Sequence, residues 1–165
     1  MSQGPGPSTM TLVAQTVIRA ATRADIEAIM DLERAASTAA HWSRAQYEAI
    51  FQASGPPRLC LVAEKGPLQA FLVAQTAAPE WELENIVVAP SARRQGLGTL
   101  LLRGLLERAR QQHALAVLLE VRASNASARA LYQVCGFVEA GSRPRYYQNP
   151  DEAAILCRYN LRNGS

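Results

Sequence analysis

The chain has 165 residues, 48% of them hydrophobic and 19% charged, with a net charge of +3. That length suits one domain with a single substantial core, needing neither disulfides nor metal, and the composition excludes a disordered or fibrous chain. No uninterrupted apolar run approaches the roughly 20 residues that cross a bilayer, which excludes a transmembrane helix.

The start, Met1 to Met10, is rich in Gly, Pro and Ser and lacks the charged-then-apolar order of a secretory signal. Residues 1–16 are therefore expected to form a flexible arm, ahead of one domain over 17–162. Thr22 with Asp25 three positions on has the form of a capping box, and Ile26, Ile29, Met30 and Glu33 follow with helical spacing, so a first helix is predicted from near Arg23. Ser43 and Gln46 repeat the signature ahead of Tyr47, Ile50 and Phe51, predicting a second helix after His41-Trp42. Both helices are expected to precede the sheet.

Residues 59–64 and 68–75 are β-rich runs separated by Lys65-Gly66-Pro67, which predicts an antiparallel hairpin. A further strand is predicted over 81–88, stopped by Pro90. From Leu97 to about Gln112 the apolar positions Leu97, Leu101, Leu105 and Ala109, with Leu102 and Leu106 beside them, predict an amphipathic helix. Residues 116–121 are nearly all apolar, as in a strand covered on both faces, and should pair parallel with 81–88 to complete a βαβ unit. Asn125 then caps a short helix through Cys135, Gly136 suits a left-handed C-terminal position, and strands follow from Phe137 and over 153–161.

Cys60, Cys135 and Cys157 are odd in number and widely spaced, with no CxxC pair near His41 or His113, so buried thiols in a reducing cytoplasm are expected, with no bound metal. The arginine excess favours phosphate-bearing ligands. Its dense patches, Arg93-Arg94 and residues 143–147, do not make a nucleic-acid signature, and direct nucleic-acid binding is not expected.

The segment Arg93-Arg94-Gln95-Gly96-Leu97-Gly98 lies between a strand and the start of the amphipathic helix, where backbone N–H groups lack intrahelical partners and the helix dipole favours an anion. A dinucleotide fingerprint would need a small residue where Leu101 stands, and a triphosphate loop needs a Gly-Lys-Ser/Thr that is absent. By spacing alone the segment reads equally as a phosphate cradle or a tight turn with a capping glycine.

Arg-x-x-Gly-x-Gly after a Val-x-Pro strand end resembles the acyl-coenzyme A signature of the GNAT superfamily of N-acetyltransferases. Residues 85–90, 94–98, Leu119 through Asn125, and Ala130-Leu131-Tyr132 through Cys135-Gly136-Phe137 resemble its bacterial ribosomal-protein-alanine branch, as do Arg145-Tyr146-Tyr147 and Glu152-Ala153. The likeness runs from about Ile18 to Leu161. It implies one α/β domain with a mixed central sheet, antiparallel N-terminal strands, a parallel βαβ unit and flanking helices. It also implies acetyl-CoA as co-substrate, held by Arg93, Arg94, Gln95, Gly96, Leu97, Gly98 and Thr99, by the backbone of Ile86, Val87 and Val88, and by Asn125.

For the chemistry, the resemblance favours Glu120 as general base and Tyr132 as the acid that protonates the departing thiolate. Read alone, Glu120 is the single charge in its strand, on one face with Leu118 and Ala116. Apolar surroundings there would raise its pKa, whereas a plainer reading pairs it with Arg122. Tyr132 alone reads as a core tyrosine, and Asn125 reads equally as a helix cap. Trp42, Tyr146 and Tyr147 line a peptide groove or cover loops.

The implied acceptor is a protein α-amino group, the alanine of a small-subunit ribosomal protein, drawn by an acidic patch at Glu80, Glu82 and Glu84. Lysine or a small amine as acceptor, or an acetyl-CoA sensor without turnover, are the alternatives. A cytoplasmic protein away from membranes is expected.

Overall fold

The computed structural model describes residues 15–36, 39–148 and 151–162. The arm expected over 1–16 lies outside them except for its last two positions.

A first strand, β1 (Val17–Ala20), precedes the helices, so the expectation that both helices come before the sheet is corrected. Four residues without alternation carry no strand signal; pairing with β2 and the side chain of Arg19 hold them. Arg19 Nη1 lies 2.8 Å from Asp25 Oδ2, and its Nη2 lies 2.7 Å from Glu64 Oε1. Asp25 also accepts the Thr22 N–H at 2.8 Å, so the first capping box joins β1 to the turn that opens α1 (Ile26–Arg34). The second box, Ser43 with Gln46, starts α2 (Arg44–Ile50).

The remaining elements follow the predicted order: β2 (Arg58–Glu64), β3 (Leu68–Gln75), β4 (Glu80–Val88), α3 (Leu97–Gln111), β5 (Ala116–Arg122), α4 (Ala126–Val134), β6 (Val138–Tyr147) and β7 (Glu152–Asn160). The sheet runs β1-β2-β3-β4-β5-β7-β6, and only the β4–β5 pair is parallel, which gives the expected β4-α3-β5 unit. Gly136, at a φ of 98°, turns the chain out of α4 as its position suggested.

Each sheet face carries its own core. Leu97, Leu101, Leu102, Leu105 and Ala109 of α3 pack on Leu61, Leu72, Leu83, Val117 and Leu119. Ile26, Ile29 and Tyr47 cover Val62, Phe71, Val73 and Val87 on the opposite face. Burying one such aliphatic side chain contributes about 1.5–3 kcal/mol, so α3 is held mainly by its apolar stripe. The expectation that β5 is covered on both faces is corrected: Val117, Leu119 and Val121 are buried, while Leu118, Glu120 and Arg122 alternate with them, half-buried.

The register of β4 makes room for a site. Val73 pairs with Asn85 but Ala74 pairs with Leu83, which leaves Glu84 as the extra residue of a bulge. Leu83 consequently joins the α3-side core and Val87 the opposite one, although four residues apart they would share a face in a regular strand. Parallel pairing of β4 with β5 ends at Leu83 with Leu119, and both strands continue beyond it without pairing to each other.

Candidate active site

Past that last pair the strands border a cleft of about 1210 Å³ that takes in residues 86–88 of β4, residues 96–99 of α3, and Glu120, Asn125 and Tyr132. Sequence-distant segments thus meet in one place.

The turn before α3 leaves backbone N–H groups open. Gly96 has a φ of 77°, a left-handed conformation that glycine adopts without strain, and no side chain caps the helix. Leu100 N–H donates to the Gly96 carbonyl at 3.0 Å, so the N–H groups of Leu97, Gly98 and Thr99 precede the first intrahelical bond and remain available. A Cβ on Gly96 would meet nothing within 4 Å, which leaves open space at the turn. Arg93 and Arg94 are exposed and line the same cleft, with Arg94 itself at a φ of 64°. Gln95 is exposed in this turn but outside the cleft lining. Open N–H groups, a helix dipole and two guanidinium groups fit the diphosphate of coenzyme A.

Gly98 has a different reason to be glycine. A Cβ there would come within 2.9 Å of Leu131 Cδ2, so its bare backbone lets α4 approach α3. Asn125 caps α4, its Oδ1 accepting the Ala128 N–H at 3.2 Å, and it also lines the cleft, so both of its readings are compatible with the geometry.

Glu120 is about four-fifths buried and alternates with Leu119 and Val121 as expected, but the expectations of apolar surroundings and of a pair with Arg122 are corrected. Its Oε1 lies 3.4 Å from Arg143 Nη2, brought by β6, while Arg122 pairs instead with Glu152 at 3.6 Å. The Glu120 charge pushes the Tyr146 hydroxyl above its ordinary pKa. Glu82 is likewise raised, by burial first and then by Glu120 and Glu84.

The acidic patch is smaller than its sequence suggested. Glu80 is paired with Arg158 at 2.8 Å and Glu84 with Arg58 at 2.9 Å, leaving Glu82 without an ion pair among the described residues.

Tyr132 is 6% exposed, its ring edge-on to Phe137 at 5.9 Å. Burial, followed by the nearby Cys157 and Tyr147, pushes its phenol well above the ordinary value, so it stays protonated at neutral pH. Trp42, Tyr146 and Tyr147 all line the cleft, and each also packs against a neighbour. Arg58 lies 5.5 Å over Trp42, Arg122 lies 4.1 Å over Tyr147, and the two tyrosine rings are 5.1 Å apart.

One cluster went unread in the sequence. Glu33 is 3% exposed with no ion-pair partner among the described residues; its Oε1 accepts the Trp42 N–H at 2.8 Å and the Asn85 amide at 3.2 Å. Asn85 also reaches the Tyr47 hydroxyl at 3.3 Å and lines the cleft. The signal was the charge of Glu33 amid apolar residues on one helical face.

Comparison with known proteins agrees with this geometry. The sequence profile described as the acetyltransferase (GNAT) family matches residues 26–137. The [ribosomal protein bS18]-alanine N-acetyltransferase of Escherichia coli (strain K12) is 43% identical over 95 residues, 56% of this chain. That match spans 64% of the length of the E. coli enzyme. A putative enzyme of the same description from Bacillus subtilis (strain 168) is 29% identical over 133 residues, 80% of this chain and 87% of its own. The crystal structure of the ribosomal-protein-S18-alanine N-acetyltransferase from Escherichia coli superposes with a TM-score of 0.79 at 31% identity, over 92% of this chain and 97% of that one. With the profile covering the bulged strand, α4 and the turn before α3, and the fold reproduced in a solved relative over 92% of this chain, the chain belongs to the acetyltransferase (GNAT) family.

Proposed function

We propose that this acetyl-CoA-dependent N-acetyltransferase modifies the α-amino group of a protein N-terminus, the alanine of a small-subunit ribosomal protein, in the cytoplasm. The observation that carries the reading is that Glu120 and Tyr132 line the same cleft as the open N-terminus of α3. The relatives named for bS18 alanine supply the acceptor.

Acetyl-CoA supplies an activated acetyl thioester. Residues 96–99 with Arg93 and Arg94 hold its diphosphate, and the unpaired edge of β4 at residues 86–88 holds its arm and offers an N–H to the thioester oxygen. The acceptor ammonium first releases one proton to solvent, and Glu120 then takes the second from the neutral attacking nitrogen as the C–N bond forms. Tyr132 gives its phenolic proton to sulfur as the C–S bond breaks, so one carboxylate gains the proton that one phenol loses. A free α-amine has a pKa of about 7.7–8.0, against about 10.4 for lysine, so the acceptor needs only a modest base near neutrality.

Incubation with acetyl-CoA and a library of peptide N-termini, read by mass spectrometry, should place the acetyl group on the α-nitrogen of alanine-initiated peptides. Preference for lysine side chains or polyamines would replace this acceptor. Glu120→Gln and Tyr132→Phe should each slow turnover by roughly 10² to 10⁴ while leaving coenzyme affinity nearly unchanged, as loss of a general base or acid does. Near-normal rates in both variants would reassign the roles.

A further inference from the structure

The carboxylate that must meet the acceptor nitrogen already has a cation beside it. Arg143 Nη2 stands 3.4 Å from Glu120 Oε1, and no other guanidinium or ammonium group is ion-paired to Glu120 among the described residues. Arg93 and Arg94 line the cleft at the α3 turn, and three further arginines are engaged with carboxylates. Arg58 holds Glu84 at 2.9 Å, Arg158 holds Glu80 at 2.8 Å, and Arg122 lies over the Tyr147 ring with Glu152 at 3.6 Å.

Arg143 is the least constrained of these. Its side chain is 56% exposed, against 22% for Arg58 and 34% for Arg158. It comes from β6, an edge strand of the sheet, whose residues are exposed up to Tyr146, and its guanidinium lies 5.5 Å over the Tyr146 ring. A half-exposed pair of this kind is weak and readily exchanged.

The geometry points to Arg143 as a specificity-determining residue, a resident counter-cation that occupies Glu120 until the protonated acceptor amine displaces it. This rests on the reading that Glu120 removes the acceptor's proton. With Arg143 in place the mouth carries Glu82 and Glu120 against one cation; without it, two uncompensated carboxylates face an incoming ammonium. Arg143 therefore lowers affinity for cationic acceptors. The groups facing Glu120 are Glu82 on β4, with Glu84 beyond it; Arg143, Tyr146 and Tyr147 on β6; and Arg122 next along β5. Its partner on β7 is the apolar Leu156. Arg143 is the one cation among them that is not held by another carboxylate.

Steady-state kinetics on the full chain with acetyl-CoA and an alanine-initiated peptide test the idea. Arg143→Ala should lower the peptide KM about two- to fivefold, the range a half-exposed charge pair controls, and make that KM more sensitive to salt. Arg143→Lys should restore both, and Glu82→Gln added to Arg143→Ala should raise the KM again. A peptide KM that is unchanged or higher in Arg143→Ala overturns the proposal, as does an unaltered salt dependence of that KM. A hairpin-stabilising role alone predicts that outcome, with a lowered melting temperature. Wild-type kcat in Glu120→Gln would instead remove the underlying assignment of the base.

Discussion

At Gly96 the chain adopts a φ of 77° in open space, whereas at Gly98 a Cβ would press on Leu131, so two glycines of one motif answer to different constraints. Gly96→Val should therefore strain the turn, destabilise the fold by about 1–2 kcal/mol and weaken acetyl-CoA binding in calorimetry, through displaced N–H groups. Unchanged affinity would detach the diphosphate from this turn. The glycine spacing was legible because a strand-to-helix turn writes itself into consecutive residues. The surroundings of Glu120 were not, because Arg143 and Tyr146 reach it from β6 and no local pattern in β5 announces them. Glu33 stood on an apolar helical face in plain view, yet its partners Trp42 and Asn85 come from a loop and a strand that spacing cannot bring together.

Among the elements, α3 was readable because its apolar stripe repeats over fifteen residues, and the capping boxes marked where α1 and α2 begin. β1 was not, because its four residues depend on Arg19, whose partners lie in the α1 entry and in β2. This tie is sensitive to acid. Hydrogen bonds from Arg19, and then from the Thr22 N–H, hold the Asp25 carboxyl below its ordinary range. A folded-state pKa below the unfolded one contributes stability above the unfolded value, about 3.9, and that contribution is lost as pH falls through the lower folded value. Arg19→Ala should cost about 2 kcal/mol at neutral pH, the scale of hydrogen bonds to a charged group. Thermal melts should then show a shallower loss of stability below about pH 4 than the parent protein. An equally steep acid limb would mean that the depression of Asp25 does not come from Arg19. The bulge at Glu84 is the other illegible feature, since an inserted residue in a strand leaves no mark until its partners in β3 are known.

Over the whole molecule, cores on both sheet faces hold β4 and β5, whose pairing ends at Leu83 with Leu119, and the cleft lies beyond that pair. The α3 turn borders it through N–H groups, β5 through a carboxylate, α4 through a phenol, and β6 through Tyr146 and Tyr147. Family membership was visible in the motifs, and the fold carried it through; the charge balance at the mouth came from three dimensions alone. A crystal structure of the protein with acetyl-CoA tests the central claim most directly. The account predicts a diphosphate on the N–H groups of residues 96–99, a pantetheine arm along residues 86–88, and the thioester sulfur within hydrogen-bonding reach of the Tyr132 hydroxyl. A coenzyme bound away from that turn, or a sulfur remote from Tyr132, would contradict it.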